Sequence, residues 1–108
     1  MKLGRIVGTV VSTRKDEKIE GLKLYVVRDL TMDLSDRDTF VVAADTVGAG
    51  MGEVVLYASG SSARQTKWTD KRPVDASVMA IVDDIDVDGI VVYSKYSEAK
   101  SSINGGRS

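Results

Sequence analysis

Asp45-Thr46-Val47-Gly48-Ala49-Gly50-Met51-Gly52-Glu53 runs into an apolar segment, Val54–Ala58, which ends at Gly60-Ser61-Ser62-Ala63-Arg64. A glycine-dense turn thus feeds a strand, and a second tight turn closes it. Four of the ten glycines, Gly48, Gly50, Gly52 and Gly60, fall within the thirteen residues 48–60. Glycine is used where the backbone must take positive φ or come close to another backbone. So much local constraint, in a chain with no visible catalytic kit, points to a place where chains meet.

Working outward, the pattern is β. Leu3–Thr13 is rich in Val, Ile and Thr, and Leu22–Leu30 follows the polar loop Arg14–Glu20 and Gly21. Phe40–Ala44 comes after a charged turn at Asp33–Asp38. Val78–Val87 and Ile90–Tyr93 flank Asp88-Gly89, a dipeptide that favours a two-residue type I′ hairpin. Helix is scarce. Ser62-Ala63-Arg64-Gln65 matches a capping box and predicts one short helix of about two turns ending near Trp68–Asp70, before Pro73. The fold class expected is mostly β: a small OB-like barrel of five to six strands with one short helix. Residues 1–93 form the barrel domain in this reading, and 94–108 a polar tail, a short helix followed by a disordered end.

The strands also carry too much apolar surface for one barrel. Leu3, Val7 and Val11 are predicted on one face of the first strand, and Ile6 and Val10 on the other with Gly8 between them. Val54–Tyr57 and Ile90–Tyr93 are apolar on both faces. A small barrel has one inside, and large exposed apolar patches are unusual on monomers. A second copy of the chain, packed by rotational symmetry, is the simplest cover, the alternative being the chain's own helix and tail.

Composition narrows the chemistry. The chain has 108 residues, enough for one domain with a real core. Hydrophobic residues make up 43% and charged residues 29%, and the net charge is −1, so nothing draws the whole chain toward nucleic acid or an anionic membrane. No apolar run approaches the roughly 18 residues of a spanning helix, and no signal-peptide pattern opens the sequence. The chain has no histidine and no cysteine, which removes the commonest general base, the usual triads and thiolate metal sites. The expectation is no enzyme, no metal and no cofactor.

The motifs that hint otherwise are poor matches. Gly48-Ala49-Gly50-Met51-Gly52 resembles a dinucleotide fingerprint, but a β-type run follows instead of the helix whose N-terminus holds the pyrophosphate. Asp84-Ile85-Asp86-Val87-Asp88-Gly89 starts like an EF-hand loop, but its twelfth position is Lys95 rather than glutamate. A period of two accounts for it better, with Asp84, Asp86 and Asp88 on a solvated face and Met79, Ile81, Ile85 and Val87 on the other. Ser61 and Ser62 have neither an elbow motif nor a base, and Arg64 is expected to pair with a carboxylate or carbonyl of a neighbour. Trp68, beside Lys67, Lys71 and Arg72, is the one candidate stacking platform for single-stranded nucleic acid, the alternative function for an OB-type barrel. Aromatics are only 6%, so a tryptophan packed under a loop with snorkelling neighbours is the preferred reading.

Five segments in order resemble the bacterial microcompartment vertex proteins of the EutN/CcmL family: Leu3–Val11, Gly21–Leu24, Asp45–Glu53, Gly60–Arg64, and Pro73-Val74-Asp75 leading to Ile81-Val82-Asp83. The likeness covers roughly Met1 to Tyr93. It implies a cyclic homopentamer of OB-like barrels that fills the five-fold corners of a polyhedral shell in the bacterial cytoplasm. The implied partners are other copies of the chain and hexameric shell tiles, with no nucleic acid and no membrane. On this reading Asp45, Gly48, Ala49, Gly50, Gly52, Glu53, Gly60, Ser61, Ser62 and Arg64 lie at or near subunit contacts, with the glycine turn near the axial opening.

Overall fold

A computed structural model of the chain describes residues 1–13 and 15–96. Five strands close into a barrel: β1 (Lys2–Val10), β2 (Leu24–Leu30), β3 (Asp36–Asp45), β4 (Val54–Ser59) and β5 (Ala76–Ile81), in the spatial order β1-β2-β3-β5-β4. Every neighbouring pair is antiparallel except β3 and β5, which run parallel over Ala44↔Ser77 and Asp45↔Val78. Closure leaves the barrel without a free edge. The hairpin of β6 (Asp84–Val87) and β7 (Ile90–Ser94) stands apart as a two-stranded sheet. Beyond Tyr96 the expected tail lies outside the described residues.

The barrel is filled by Ile6, Tyr25, Val27, Ala43, Val55, Tyr57 and Val78, all buried. It is narrow enough that Gly4 admits no side chain. A Cβ there would stand 2.4 Å from the Val27 side chain and 2.9 Å from the Arg28 carbonyl oxygen. A second cluster, Leu30, Val54, Val82 and Tyr93, joins the hairpin to one end of the barrel.

The structure corrects the sequence reading in four places. First, β1 does not alternate throughout. A bulge between Ile6 and Gly8 inserts an extra residue, Val7, so Ile6 pairs with the inward Val27 while Gly8 pairs with the half-buried Val26. Ile6 and Val10 therefore do not share a face, because one extra residue reverses the parity. Second, the run 78–87 is two strands. It breaks at Val82-Asp83, where the Val82 N–H turns to the Val54 carbonyl. Third, the predicted helix is a 3₁₀ turn over Gly60–Arg64 that begins one residue after Ser59, and no side chain caps its start. The polar capping falls to Thr66, whose hydroxyl accepts from the N–H groups of Trp68 (3.2 Å) and Thr69 (3.0 Å). Fourth, Trp68 is 57% exposed rather than packed under a loop, with the Lys67 ammonium 5.6 Å from its ring centroid. The turn at Asp88-Gly89 follows the sequence: both residues have positive φ, 53° and 78°.

Candidate functional site: the glycine loop and the closing turn

The loop between β3 and β4 is organised by the two acids at its ends. The Asp45 carboxylate accepts from three successive backbone N–H groups, those of Val47 (3.2 Å), Gly48 (3.1 Å) and Ala49 (3.2 Å). Such an arrangement replaces the strand ladder that the chain has just left. Gly48 and Gly52 then take φ of 76° and 83°, which other residues adopt only under strain. Glu53 Oε1 accepts from the Gly50 N–H at 2.7 Å, and Glu53 Oε2 pairs with Lys95 Nζ at 2.5 Å. The hydrogen bond from Lys95, helped by the Gly50 N–H, holds the Glu53 carboxyl below the usual range, against the effect of burial. The same bond raises Lys95.

The loop is also bound to the barrel beneath it. The buried Tyr25 hydroxyl donates to the Ala49 carbonyl at 2.5 Å. The Gly52 N–H donates to Ile6 (2.8 Å), the Ile6 N–H to Glu53 (3.0 Å), and the Arg5 guanidinium to the Gly52 carbonyl (2.9 Å). Ala49 is buried in consequence. Gly50 has an ordinary φ, and a Cβ on it would meet only Glu53 Oε1 at 3.7 Å. The loop fold itself leaves room for a side chain there.

The closing turn lies at the other end of β4. Gly60 takes a φ of 65°, and its N–H donates to the Asp75 carbonyl at 2.8 Å. Ser61 and Ser62 are exposed. Ala63 is buried, and its carbonyl accepts two hydroxyls, from Thr69 (2.8 Å) and Ser77 (2.5 Å). Arg64 donates to the Val74 carbonyl at 3.1 Å and lies 3.8 Å from the Asp75 carboxylate, so the partners the structure gives it lie in its own chain, where the sequence reading expected those of a neighbour. The two glycine-bearing segments are thus separated by the six residues of β4, about 17 Å of strand, and do not form one site.

Sequence reasoning missed two features. One is the polar cluster at Asp29, which accepts from Thr39 (2.5 Å) and from the Tyr57 hydroxyl. Burial pushes Asp29 up, but those hydroxyls, with Lys2 and Arg37 nearby, bring it below its usual value, while burial and the Asp29 charge raise Tyr57. The other is Tyr25, whose place in an apolar strand gave no sign of its bond to the loop. Among the described residues no group of three or more His, Cys, Asp or Glu is placed to hold a metal ion.

The family model described as "Ethanolamine utilisation protein EutN/carboxysome" matches residues 1–83, more than three-quarters of the chain and the whole of the barrel. The chain belongs to the EutN/CcmL family. The bacterial microcompartment shell vertex protein GrpN of Rhodospirillum rubrum is 49% identical over 86 residues, covering 80% of this chain and 97% of that protein. The solved structure of Gloeobacter violaceus CcmL superposes with a TM-score of 0.86 at 43% identity, covering 89% of this chain and 99% of that one. The solved GrpN structure, described as a pentameric microcompartment shell protein, gives a TM-score of 0.71 at 46% identity, covering 81% and 98%. The family-model match stops at Asp83, before the β6–β7 hairpin, whereas the match to the CcmL structure covers 89% of this chain. These relatives lend no support to the nucleic-acid-binding alternative.

Proposed function

We propose that the chain is a structural component of a bacterial microcompartment shell, assembling as a homopentamer that caps the five-fold vertices. The observation that carries this is the match to pentameric GrpN: one closed barrel, 46% identity and 98% of that protein covered. The apolar outer surface of the strands supports it independently, because a ring of copies provides its cover. The role is geometric rather than catalytic. A sheet of hexagonal tiles closes into a polyhedron only when pentagons occupy its corners. The neighbours of this chain in the shell are then hexameric tiles, and its location is the shell in the cytoplasm.

Within that role, the loop 45–53 and the turn 60–64 lie near subunit contacts, with the loop close to the five-fold axis. What supports this is that both are pinned to the barrel by their own polar groups and so present fixed surfaces. Gly50 offers a clean probe, since the fold accepts a Cβ there. Light scattering should report five times 11.6 kDa for the native chain. Co-expression with hexameric tiles should yield closed shells that open when the chain is withheld. A monodisperse monomer that leaves shell closure unchanged would sink the proposal. Gly50→Val retaining full assembly would remove the loop from the contact.

A further inference from the structure

The two ends of the barrel are finished differently. At one end the loop 45–53 lies across the core, with Ala49 buried and its carbonyl held by the Tyr25 hydroxyl. The other end, roughly 25 Å along β3 from Asp45, is an open mouth. A cavity of about 590 Å³ lies there, between the start of β1, the end of β2 and the start of β3.

The inward row of each strand changes character at this mouth. In β1 the period of two that buries Ile6 and Gly4 brings Lys2 next, beyond them. In β2 the buried Tyr25 and Val27 are followed by Asp29. β3 brings the Thr39 hydroxyl to the Asp29 carboxylate, and Arg37 into its field. A row that ends at solvent calls for a polar residue, but not for three charges around one cavity. Leu3, Leu30 and Met32 supply an apolar wall beside them.

Both oxygens of Asp29 are engaged, Oδ2 by Thr39 at 2.5 Å and Oδ1 by the Tyr57 hydroxyl. Each keeps a further acceptor site, and the depressed carboxyl is ionised at neutral pH. Among the described residues Lys2 and Arg37 form no salt bridge, so their donors face the cavity unspent. Two cations against one carboxylate leave the mouth positive on a chain of net charge −1, and a concave site concentrates that field. A ligand matching this set has one anionic group for the two cations, a hydroxyl on a nearby carbon to donate to Asp29, and a short carbon skeleton for the apolar wall.

We propose that the open mouth of the barrel binds a small hydroxylated organic anion, its carboxylate or phosphate held by Lys2 and Arg37 and its hydroxyl by Asp29. The cavity is of ligand size, and barrel mouths are a preferred place for such sites. The site goes beyond the shell role and does not depend on it. Lys2 and Asp29 belong to the inward rows of a single barrel, away from the outward strand surface that a ring of copies covers.

Titration calorimetry on the native chain, in whatever assembly it forms, tests this with lactate, glycerol 3-phosphate and acetate. Lactate or glycerol 3-phosphate should bind saturably, the tighter one naming the anionic group, and acetate, which lacks the hydroxyl, about tenfold more weakly than lactate. Lys2→Gln combined with Arg37→Gln should weaken the tighter ligand by about tenfold or more, with thermal melting unchanged. Asp29→Asn should tighten acetate, by removing a repelling charge, and narrow the preference for lactate. If Asp29→Asn loses its fold, the Lys2 and Arg37 variant decides. No saturable binding of any of the three probes, or binding that the double variant retains, overturns the proposal. Equal affinity for lactate and acetate overturns the role given to Asp29. Sedimentation of the same samples separates the two readings: a pentamer that binds nothing overturns this proposal alone, and a monomer that binds overturns the pentameric reading alone.

Discussion

The glycine loop and the outer face of β1–β2–β3 differ in where their bonding groups go. The loop is rich in polar groups, and nearly all of those described turn inward: Asp45 to three N–H groups, Glu53 to Gly50 and Lys95, and the Ala49 carbonyl to Tyr25. The outer face is rich in apolar groups, and Phe40 and Val42 remain about half exposed in the single chain. A polar group satisfied inside the chain gains little from a partner, whereas apolar surface gains in proportion to the area removed from water. The loop is thus a rigid shape, and the face is the source of association energy. The most conspicuous sequence motif and the stickiest surface are different parts of the molecule.

The sharpest way to break this comparison uses one substitution at two points of the same strand. Gly4→Ala should cost about 3 kcal/mol or prevent folding, since its Cβ would fall 2.4 Å from Val27 and 2.9 Å from a backbone oxygen. Gly8→Ala should leave the urea midpoint of the isolated chain unchanged or slightly raised, because its Cβ meets Val26 at 3.6 Å. Equal losses at both positions would show that Gly8 is held by the fold and not by a neighbour.

Next in size is Asp45→Ala, which removes the acceptor of three loop N–H groups. A loss of about 2 kcal/mol in the unfolding free energy of the single chain is expected, with faster amide exchange confined to 47–49. A variant of native stability that fails only to assemble would instead make Asp45 a direct contact residue.

A smaller effect appears on titration. Glu53 is depressed by Lys95, so its contribution is present above the unfolded carboxylate value of about 4.3 and is lost as pH falls through the lower folded value. Lys95 is raised by the same contact, so its contribution is present below about 10.4 and is lost as pH climbs through the higher folded value. Stability followed from pH 6 downward should therefore fall less steeply in Glu53→Gln than in the native chain. Identical acid limbs would mean that the pair does not hold in solution. The smallest effect belongs to Ser62→Ala. Its exposed side chain caps no helix, so the change should stay within about 0.5 kcal/mol by thermal melting. A loss near the usual ~1 kcal/mol of a helix cap would restore the capping-box reading.

Elements that depend on local backbone chemistry were legible before any coordinates. Asp88-Gly89 imposes the hairpin because both residues accept positive φ. Gly48, Gly52 and Gly60 mark where the chain leaves its strands for the same reason. The five family segments carried the relationship, since order and spacing survive without coordinates. Which side of each strand faces in came from the closed barrel. The bulge at Val7 adds one residue and reverses the parity of the rest of β1, and no local pattern distinguishes it from continued alternation. The parallel join of β3 to β5, the bond from Tyr25 to Ala49, and the settling of Ser62 into a 3₁₀ turn likewise depend on residues distant in sequence. Backbone preference acts between neighbours along the chain, whereas burial and hydrogen-bond satisfaction act between whatever the closed barrel brings together.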